Sequence, residues 1–282
     1  MQINLNICSI SMLKRTTLIG AAVVAVVAHM VSVANPEPPK VQPAATTQGI
    51  VPFITKTFTK TFSSRSTPAP TVVPTVAGFD VNQELRLLAP KAPNLDKKVL
   101  RLALEAYAQV HHKHLDKRPI LTVINYQLAS KEPRFWVFDL KHGTLLFNTL
   151  VAHGSGSGSR VRAEHFSNRP GGKASSLGVF ITGDTYKGHC GYSLRLHGLE
   201  RGVNDKAFSR AVVVHGAWYV NKAVAKQYGQ IGRSSGCPAV GTEVVVPIIN
   251  TIKNGSVVFS YYPESSWLTR SAFLHNSNKK TA

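Results

Sequence analysis

The chain has 282 residues, which allows one sizeable domain with appendages. Its 33 basic and 14 acidic residues give a formal net charge of +19, which indicates an anionic partner. The basic residues are scattered and form no zinc-finger, RNP-like or basic-helix pattern, so we expect no nucleic acid. An anionic cell-wall polymer or a membrane surface is the expected partner instead.

The N-terminal segment has the order of a secretory signal peptide. Lys14 and Arg15 precede an apolar run over 18–33, and a small-x-small cleavage site, S-V-A, ends at Ala34. These features predict a signal peptide over residues 1–34 and an exported protein of the periplasm or cell envelope. If the segment is not cleaved, its apolar run, although a little short for a span, would tether the protein to a membrane.

Three further regions are distinguished by their composition. Residues 35–91 are rich in Pro, Thr, Ala and Val and repeat the tetrapeptide T-K-T-F. No apolar period persists there, so we predict a flexible linker. Residues 92–263 carry regular patterns and are predicted to form the folded domain. Residues 264–282 are predicted to be a polar, frayed C-terminal tail.

A helix opens the predicted domain. Apolar residues recur at helical spacing from Leu95 to Val110, and Asn94 is the predicted N-cap. The helix ends in a histidine-rich run, 111–114, which places cations at a helix C-terminus. A metal site is the alternative for these histidines. No carboxylate or cysteine partner is evident in the sequence, so we predict no metal.

Short strands dominate the rest of the domain. Residues 120–128 form the first predicted strand, and 134–140 and 144–152 form a hairpin about the turn 141–143. The Gly/Ser run 154–159 is predicted to be a mobile loop. Further strands are predicted at 177–182, 192–196, 211–215 and 256–262, with short helices at 220–228 and 246–253. Many short strands with few helices indicate a mostly-β sandwich or barrel-like fold.

A histidine and a cysteine near the end of the domain have the chemistry of a nucleophilic pair. His215 ends the apolar strand V-V-V-H, and Cys237 lies 22 positions later in the Gly-rich turn G-R-S-S-G-C-P. An imidazole beside a thiol can take its proton and leave a nucleophilic thiolate. Small neighbours let a substrate approach the sulfur and leave backbone N–H groups for an oxyanion. The alternative is a buried core cysteine beside an unrelated histidine.

Four segments surround this pair, and they read S-S-L-G, G-Y-S-L-R-L-H-G, V-V-V-H-G-A and G-R-S-S-G-C-P-A. Together they resemble the YkuD-type L,D-transpeptidases, most closely the divergent branch called murein L,D-transpeptidase catalytic domain proteins. The resemblance covers approximately Ala92 to Pro263. It implies a YkuD-like β-sandwich that carries a Cys/His cleft and is preceded by an N-terminal helix. It also implies acyl transfer on peptidoglycan stem peptides through a thioester, without a cofactor.

The resemblance assigns roles to three residues. Cys237 is the implied nucleophile, His215 is its base, and the carbonyl of Gly216 orients the imidazole. We further predict the backbone N–H groups of Gly236 and Cys237 as donors to the oxyanion. The other substrate-binding candidates are Ser234, Ser235, Arg233, Tyr192, His197 and Ser176, and Arg195 adds positive charge where an anionic peptide would lie.

Several of these side chains have a structural alternative. Arg233 could pair with a substrate carboxylate or be an exposed loop arginine. Tyr192 and His197 could line the cleft or serve as packing residues, and Ser176 could cap a turn.

The sequence departs from the commoner family pattern at the cysteine. That pattern reads S-H-G-C with a polar Asn or Arg two residues on, whereas this chain has Ser235 in the second position and Pro238-Ala239 after the cysteine. A substrate-facing imidazole and a polar anchor are therefore missing. The choice of acceptor does not follow from the resemblance.

Rival functions stay open at this point. The same bond could be hydrolysed by an L,D-carboxypeptidase or a cross-link hydrolase, or the chain could be a generic cysteine peptidase. A non-catalytic cell-wall-binding module is the alternative of another class. Cys190 would be the second thiol of the mature chain. A disulfide between Cys190 and Cys237 would switch the site off, and we do not expect one.

Overall fold

The computed structural model describes residues 79–274. The predicted signal peptide over residues 1–34, the linker up to residue 78 and the last eight residues of the chain lie outside the described residues. Within 79–274, none of the helices has both the length and the apolar character that crossing a membrane requires.

Residues 79–274 contain eight strands, which are β1 (Ile120–Asn125), β2 (Phe135–Asp139), β3 (Thr144–Thr149), β4 (Gly178–Gly188), β5 (Gly191–Gly198), β6 (Val213–Gly216), β7 (Ala239–Val240) and β8 (Val257–Tyr261). They form a single sheet in the order β3-β2-β1-β8-β4-β5-β6-β7. The pairs β1–β8 and β6–β7 are parallel, and the other pairs are antiparallel.

The two edges of this sheet approach each other. Ala152, three residues beyond β3, forms an antiparallel bridge with Ala239 of β7, and its N–H donates to the Ala239 carbonyl at 2.8 Å. The sheet is therefore nearly closed. This confirms the predicted mostly-β fold with a few helices.

In the described part of the chain, five α-helices accompany the sheet, and they are α1 (Val81–Leu88), α2 (Lys97–His112), α3 (Lys222–Tyr228), α4 (Val245–Ile252) and α5 (Ser265–Leu268). The helix predicted near the start of the domain is α2, but its N-cap is Asp96 rather than Asn94. The Asp96 carboxylate accepts the N–H of Lys98 at 2.7 Å. The Asn94 side chain instead contacts Asn148 and accepts from the indole of Trp136.

The centre of the core lies along β1 and β8. All residues of these two strands are buried, because β1 and β8 are parallel neighbours in the middle of the sheet, and α2 packs against both. Continuous apolar runs, rather than alternating ones, are the sequence signature of such strands.

The folded domain extends beyond its predicted N-terminal limit. Helix α1 packs on α2 and fully buries Leu88, so residues 79–91 do not belong to a flexible linker as predicted. The Asp80 carboxylate caps this helix by accepting the N–H of Asn82 at 2.8 Å. Composition misled the prediction because a two-turn helix is too short to change the average of a Pro-rich region.

The domain also extends beyond its predicted C-terminal limit. Trp267 of α5 is only 1% exposed, and Phe273 and Leu274 are buried as well. The indole N–H of Trp267 donates to the buried carboxylate of Glu200 at 3.2 Å. The prediction of a frayed tail is therefore wrong for residues 264–274, because one aromatic side chain with a buried polar partner is enough to anchor the segment.

Replacing Trp267 by Ala is expected to lower the free energy of unfolding by roughly 3–5 kcal/mol, because a large cavity forms and Glu200 loses a donor. The measurement is urea unfolding of the full chain. Trp218→Ala is the matched control, since Trp218 is 73% exposed and its loss should change stability by less than about 0.5 kcal/mol. Equal effects of the two substitutions would show that the C-terminal segment does not stabilise the core.

Candidate active site

The pairing of β6 with β7 determines where His215 and Cys237 lie. His215 is in register with Ala239 in this parallel pair, and neighbouring strands are about 4.8 Å apart. Cys237 precedes Ala239 by two residues, so its Cα lies within about 7 Å of that of Ala239. The fold thus brings together two residues that are distant in the sequence.

His215 is held as a neutral imidazole. It is 2% exposed, and its Nδ1 lies 3.0 Å from the carbonyl oxygen of Gly216. A carbonyl only accepts, so Nδ1 carries the proton and Nε2 keeps its lone pair. The structure thus contains the contact predicted for Gly216. Burial lowers the pKa of His215, and the bond to Gly216 offsets this only in part, so the imidazole is neutral at neutral pH.

Cys237 is half-buried on a short, strongly bent loop. Its Sγ donates to the carbonyl of Ala211 at 3.6 Å, on the segment that leads into β6. The Ser234 hydroxyl donates to the Cys237 carbonyl at 2.6 Å and accepts the N–H of Gly236 at 3.1 Å. Ser234 therefore holds the loop from inside.

The predicted role of Gly236 as an oxyanion donor is contradicted, because its N–H is directed at the Ser234 hydroxyl. Gly236 has a φ of 119°, which favours glycine, and an added Cβ would lie 3.0 Å from the carbonyl oxygen of Ala174. This glycine lets the cysteine loop, residues 234–237, pass close to the backbone of Ala174. Ser235 is half-buried in the same loop.

Arg233 stabilises the Gly/Ser segment, residues 154–159, by donating hydrogen bonds to its backbone. Its Nη1 donates to the carbonyls of Ser155 and Gly158, so it is neither a free carboxylate receptor nor an exposed loop arginine. Further backbone bonds join Ser155 to Ser234 at 2.8 Å and Ser234 to His153 at 2.9 Å.

The prediction of a mobile loop over 154–159 is therefore wrong. An added Cβ on Gly154 would lie 2.8 Å from the Cα of Gly236, so the glycine is needed for close packing.

Arg210 is the functional candidate that the sequence did not indicate. Its guanidinium donates to the carbonyls of Ser167 at 2.6 Å and Ala174 at 2.8 Å, and to the hydroxyl of Ser176. Its Nη2 lies 3.6 Å from the position that a Cβ on Gly236 would take. Burial lowers the pKa of Arg210, and the negative charge of Cys237 offsets part of that effect. The cation thus lies close to the cysteine loop, and the Ser176 hydroxyl donates to the Ser167 carbonyl and accepts from Arg210.

Tyr126 and Ser175 lie next to the cysteine loop. The Ser175 hydroxyl accepts the N–H of Gly154 at 2.9 Å and donates to the Gly236 carbonyl at 3.3 Å. Burial, assisted by the charge of Cys237, raises the pKa of Tyr126 to about 12. Tyr126 follows β1 directly, and only the tertiary fold places it here.

Tyr192 and His197 are not brought to the cysteine. Ser193 pairs with His215, so Tyr192 points to the opposite face of β5, where its hydroxyl donates to Asn250 of α4 at 2.9 Å. His197 lies four residues beyond Ser193 on the His215 face, and it is exposed.

A buried arginine and histidine lie beneath the Gly/Ser segment. Arg134 is fully buried and donates to the carbonyls of Val151 and Leu128 and to Nδ1 of His153 at 2.7 Å. Nε2 of His153 donates to the Ser159 carbonyl at 2.8 Å. Burial, assisted by the charge of Arg134, lowers the pKa of His153 to about 4. His153 is therefore neutral, and it links Arg134 to the backbone of Ser159.

Cys190 and Cys237 are not joined by a disulfide. In the part of the chain that the structure describes, no group of three or more His, Cys, Asp or Glu side chains could hold a metal ion. In the histidine-rich run 111–114, Nδ1 of His111 lies 3.1 Å from Oδ2 of Asp116, near the end of α2.

A family model described as L,D-transpeptidase catalytic domain, YkuD_2, matches residues 91–261. The match spans more than half of the chain, and the chain therefore belongs to this family. This confirms the resemblance found in the sequence. No curated protein matches the chain.

Solved structures of L,D-transpeptidases are similar to this chain at low identity. The structure of LD transpeptidase LdtMt1 in complex with imipenem is 13% identical, with 51% of this chain and 59% of that chain covered and a TM-score of 0.32. An L,D-transpeptidase from Mycobacterium smegmatis has the same identity and coverage and a TM-score of 0.31. One from Stackebrandtia nassauensis is 11% identical, with 63% and 76% covered and a TM-score of 0.31. The chain spans about three fifths of the first two.

Replacing Arg210 by Gln is expected to shift alkylation of Cys237 to higher pH, because a cation close to the cysteine loop is removed and the thiolate is less favoured. The measurement is the pH dependence of alkylation by iodoacetamide, followed on the Cys237 peptide by mass spectrometry. Arg233→Gln is the matched control, since it also removes an arginine that braces loop carbonyls. An equal shift in both variants, or none in Arg210→Gln, would contradict the electrostatic role.

His153 is expected to make the fold sensitive to acid. Its pKa is about 4 in the folded chain and 6.5 when unperturbed, so the unfolded chain binds the extra proton first. Stability from this group is complete above pH 6.5 and falls by about 3 kcal/mol as the pH drops to 4. Urea unfolding at several pH values should show a shallower acid slope for His153→Gln. The exposed control His165→Gln should keep the parent slope, and an unchanged slope in His153→Gln would refute the assignment.

Proposed function

We propose that this protein is a cysteine-dependent L,D-transpeptidase that acts on peptidoglycan stem peptides through a thioester on Cys237. The parallel pairing of β6 with β7 carries the proposal, because it places His215 beside the cysteine loop. The bond from Nδ1–H to Gly216 supports the base role, since it leaves Nε2 as the acceptor for the thiol proton. Family membership supports the reaction class.

In the acylation half-reaction, Nε2 of His215 takes the thiol proton and the sulfur of Cys237 attacks the carbonyl between the L-centre and the D-centre. A carbon–sulfur bond forms as the carbonyl electrons move to oxygen. The backbone N–H of Cys237 is the proposed oxyanion donor, a type of contact worth about 3 kcal/mol. The intermediate then releases the terminal D-residue as an amine, which takes the proton from His215.

In the second half-reaction, an acceptor amine attacks the thioester. His215 takes its proton, a new amide bond forms, and the sulfur leaves as the thiolate and regains the proton. If water reaches the thioester first, the same steps give hydrolysis, which is the carboxypeptidase or cross-link hydrolase reaction.

The cellular setting is part of the same proposal. An excess of basic residues, 33 against 14 acidic, suits a protein that works on an anionic cell-wall polymer. The sequence of residues 1–34 supports export to the periplasm or cell envelope, with a membrane tether if the segment is retained.

Replacing Cys237 by Ala is expected to abolish turnover of defined tetrapeptide muropeptides, because the acyl-enzyme cannot form. Mass spectrometry of the products gives the readout for the full chain. Cys190→Ala is the matched control and should retain parent activity.

The products identify the reaction. Cross-linked dimers or exchange of the terminal residue support transpeptidation, and shortened peptides alone replace it with hydrolysis. Unchanged processing by Cys237→Ala would remove the nucleophile from both mechanisms. Binding without turnover by the parent would leave the wall-binding module.

A further inference from the structure

One arginine near the candidate site is oriented by aromatic rings instead of by carbonyls. The guanidinium carbon of Arg195 lies 4.4 Å from the ring centroid of Tyr186 and 5.6 Å from that of Phe208. Phe208 in turn stacks on His197, with centroids 4.8 Å apart. We call Tyr186, Arg195, His197 and Phe208 the Arg195 platform. Its rings fix the plane of the guanidinium.

The Arg195 platform lies on the same face of the sheet as His215. Ser193 pairs with His215 and Arg195 pairs with Val213, and directly opposite residues in antiparallel strands share a face. The register of β6 with β7 continues from His215 and Ala239 back toward Val213 and Cys237. Arg195 and Cys237 therefore flank β6 on either side, with Cα atoms about 10 Å apart, or two strand spacings.

The N–H donors of Arg195 are uncommitted. Among residues 79–274, none accepts a hydrogen bond from Arg195 or forms an ion pair with it. The neighbouring arginines differ, because Arg134, Arg210 and Arg233 all donate to backbone carbonyls. Arg195 is half-buried, and the edge of its guanidinium is left for a ligand.

We propose that Arg195 is the carboxylate receptor for the stem peptide, with Tyr186 and Phe208 holding its guanidinium in the binding plane. This inference rests on the function proposed above and adds a specificity residue to it. A planar guanidinium binds a carboxylate through two parallel hydrogen bonds. The proposed leaving residue ends in a carboxylate one residue, or about 4 Å, from the attacked carbonyl. The Cα atoms of Arg195 and Cys237 are about 10 Å apart, a distance comparable to the length of one substrate residue plus an arginine side chain.

The test measures binding separately from turnover. Calorimetry on the full chain with Cys237→Ala would use a synthetic stem tetrapeptide and forms of it with one carboxyl group amidated at a time. Arg195→Met is expected to weaken binding of the free acid about tenfold or more, because a charge-assisted bond is lost. One amidated form should bind equally to both proteins, which identifies the carboxylate that Arg195 contacts.

Two further variants separate recognition from structure. Phe208→Leu keeps apolar volume but removes a ring, and it should weaken binding about threefold while dependence on the carboxylate persists. Arg201→Met is the matched control, since Arg201 is an exposed arginine nearby, and it should bind like the parent.

The inference is overturned if Arg195→Met weakens all peptide forms equally, has no effect, or if the Cys237→Ala chain does not bind the free acid. Turnover by the parent chain decides the proposed function independently. If the parent chain turns over muropeptides but binding does not depend on Arg195, only the proposed role of Arg195 is contradicted. If the chain binds the peptide through Arg195 but shows no turnover, only the proposed enzymatic function is contradicted.

Discussion

The candidate site depends on Ala239, the first residue of a two-residue strand. Its backbone pairs with His215 of β6 on one side and with Ala152 on the other. The first contact sets the position of the histidine relative to the cysteine loop. The second brings the Gly/Ser segment, which follows Ala152, against the same loop. One small, buried residue therefore joins three segments that are distant in the sequence.

Positive charge is the second organising feature. Arg134, Arg210 and Arg233 lie around the cysteine and the Gly/Ser segment, and each donates to backbone carbonyls. The ion pairs of His111 with Asp116 and of His142 with Asp139, both within residues 79–274, involve none of these arginines. With no carboxylate paired to these arginines, the local potential favours a thiolate and an anionic ligand. The arginines thus hold loop carbonyls in place and also make the local potential positive.

Patterns that depend on local sequence predicted the fold well. Apolar runs located seven of the eight strands in residues 79–274, the turn at 141–143 located the β2–β3 hairpin, and apolar periodicity located α2, because each follows from the period of a regular element. The two-residue strand β7 was not predicted, because it is too short to show a period. The family motifs identified His215 and Cys237 as the pair to examine. The resemblance also implied the contact between His215 and Gly216, which the structure contains.

Contacts between distant segments could not be predicted in this way. Arg210 lies five residues before His215, but the groups that accept its hydrogen bonds are in the segment 167–176. The Gly/Ser run has the composition of a flexible loop, yet Gly154 is required for close packing that only the cysteine loop creates. The sequence offers Arg233 as a substrate-binding candidate, but the carbonyls that accept from it come together only in the folded chain.

The setting of Cys237 has a consequence for its sensitivity to oxidation. A cation close to the sulfur favours the thiolate, and this ionised form is the one that peroxides convert to sulfenic acid. The contact from Sγ to the Ala211 carbonyl acts in the opposite direction, because only the protonated thiol can donate it. The balance between these two neighbours sets the ionised fraction of the thiol, and partial burial adds little protection, since a peroxide is small enough to reach any sulfur that a larger molecule can reach.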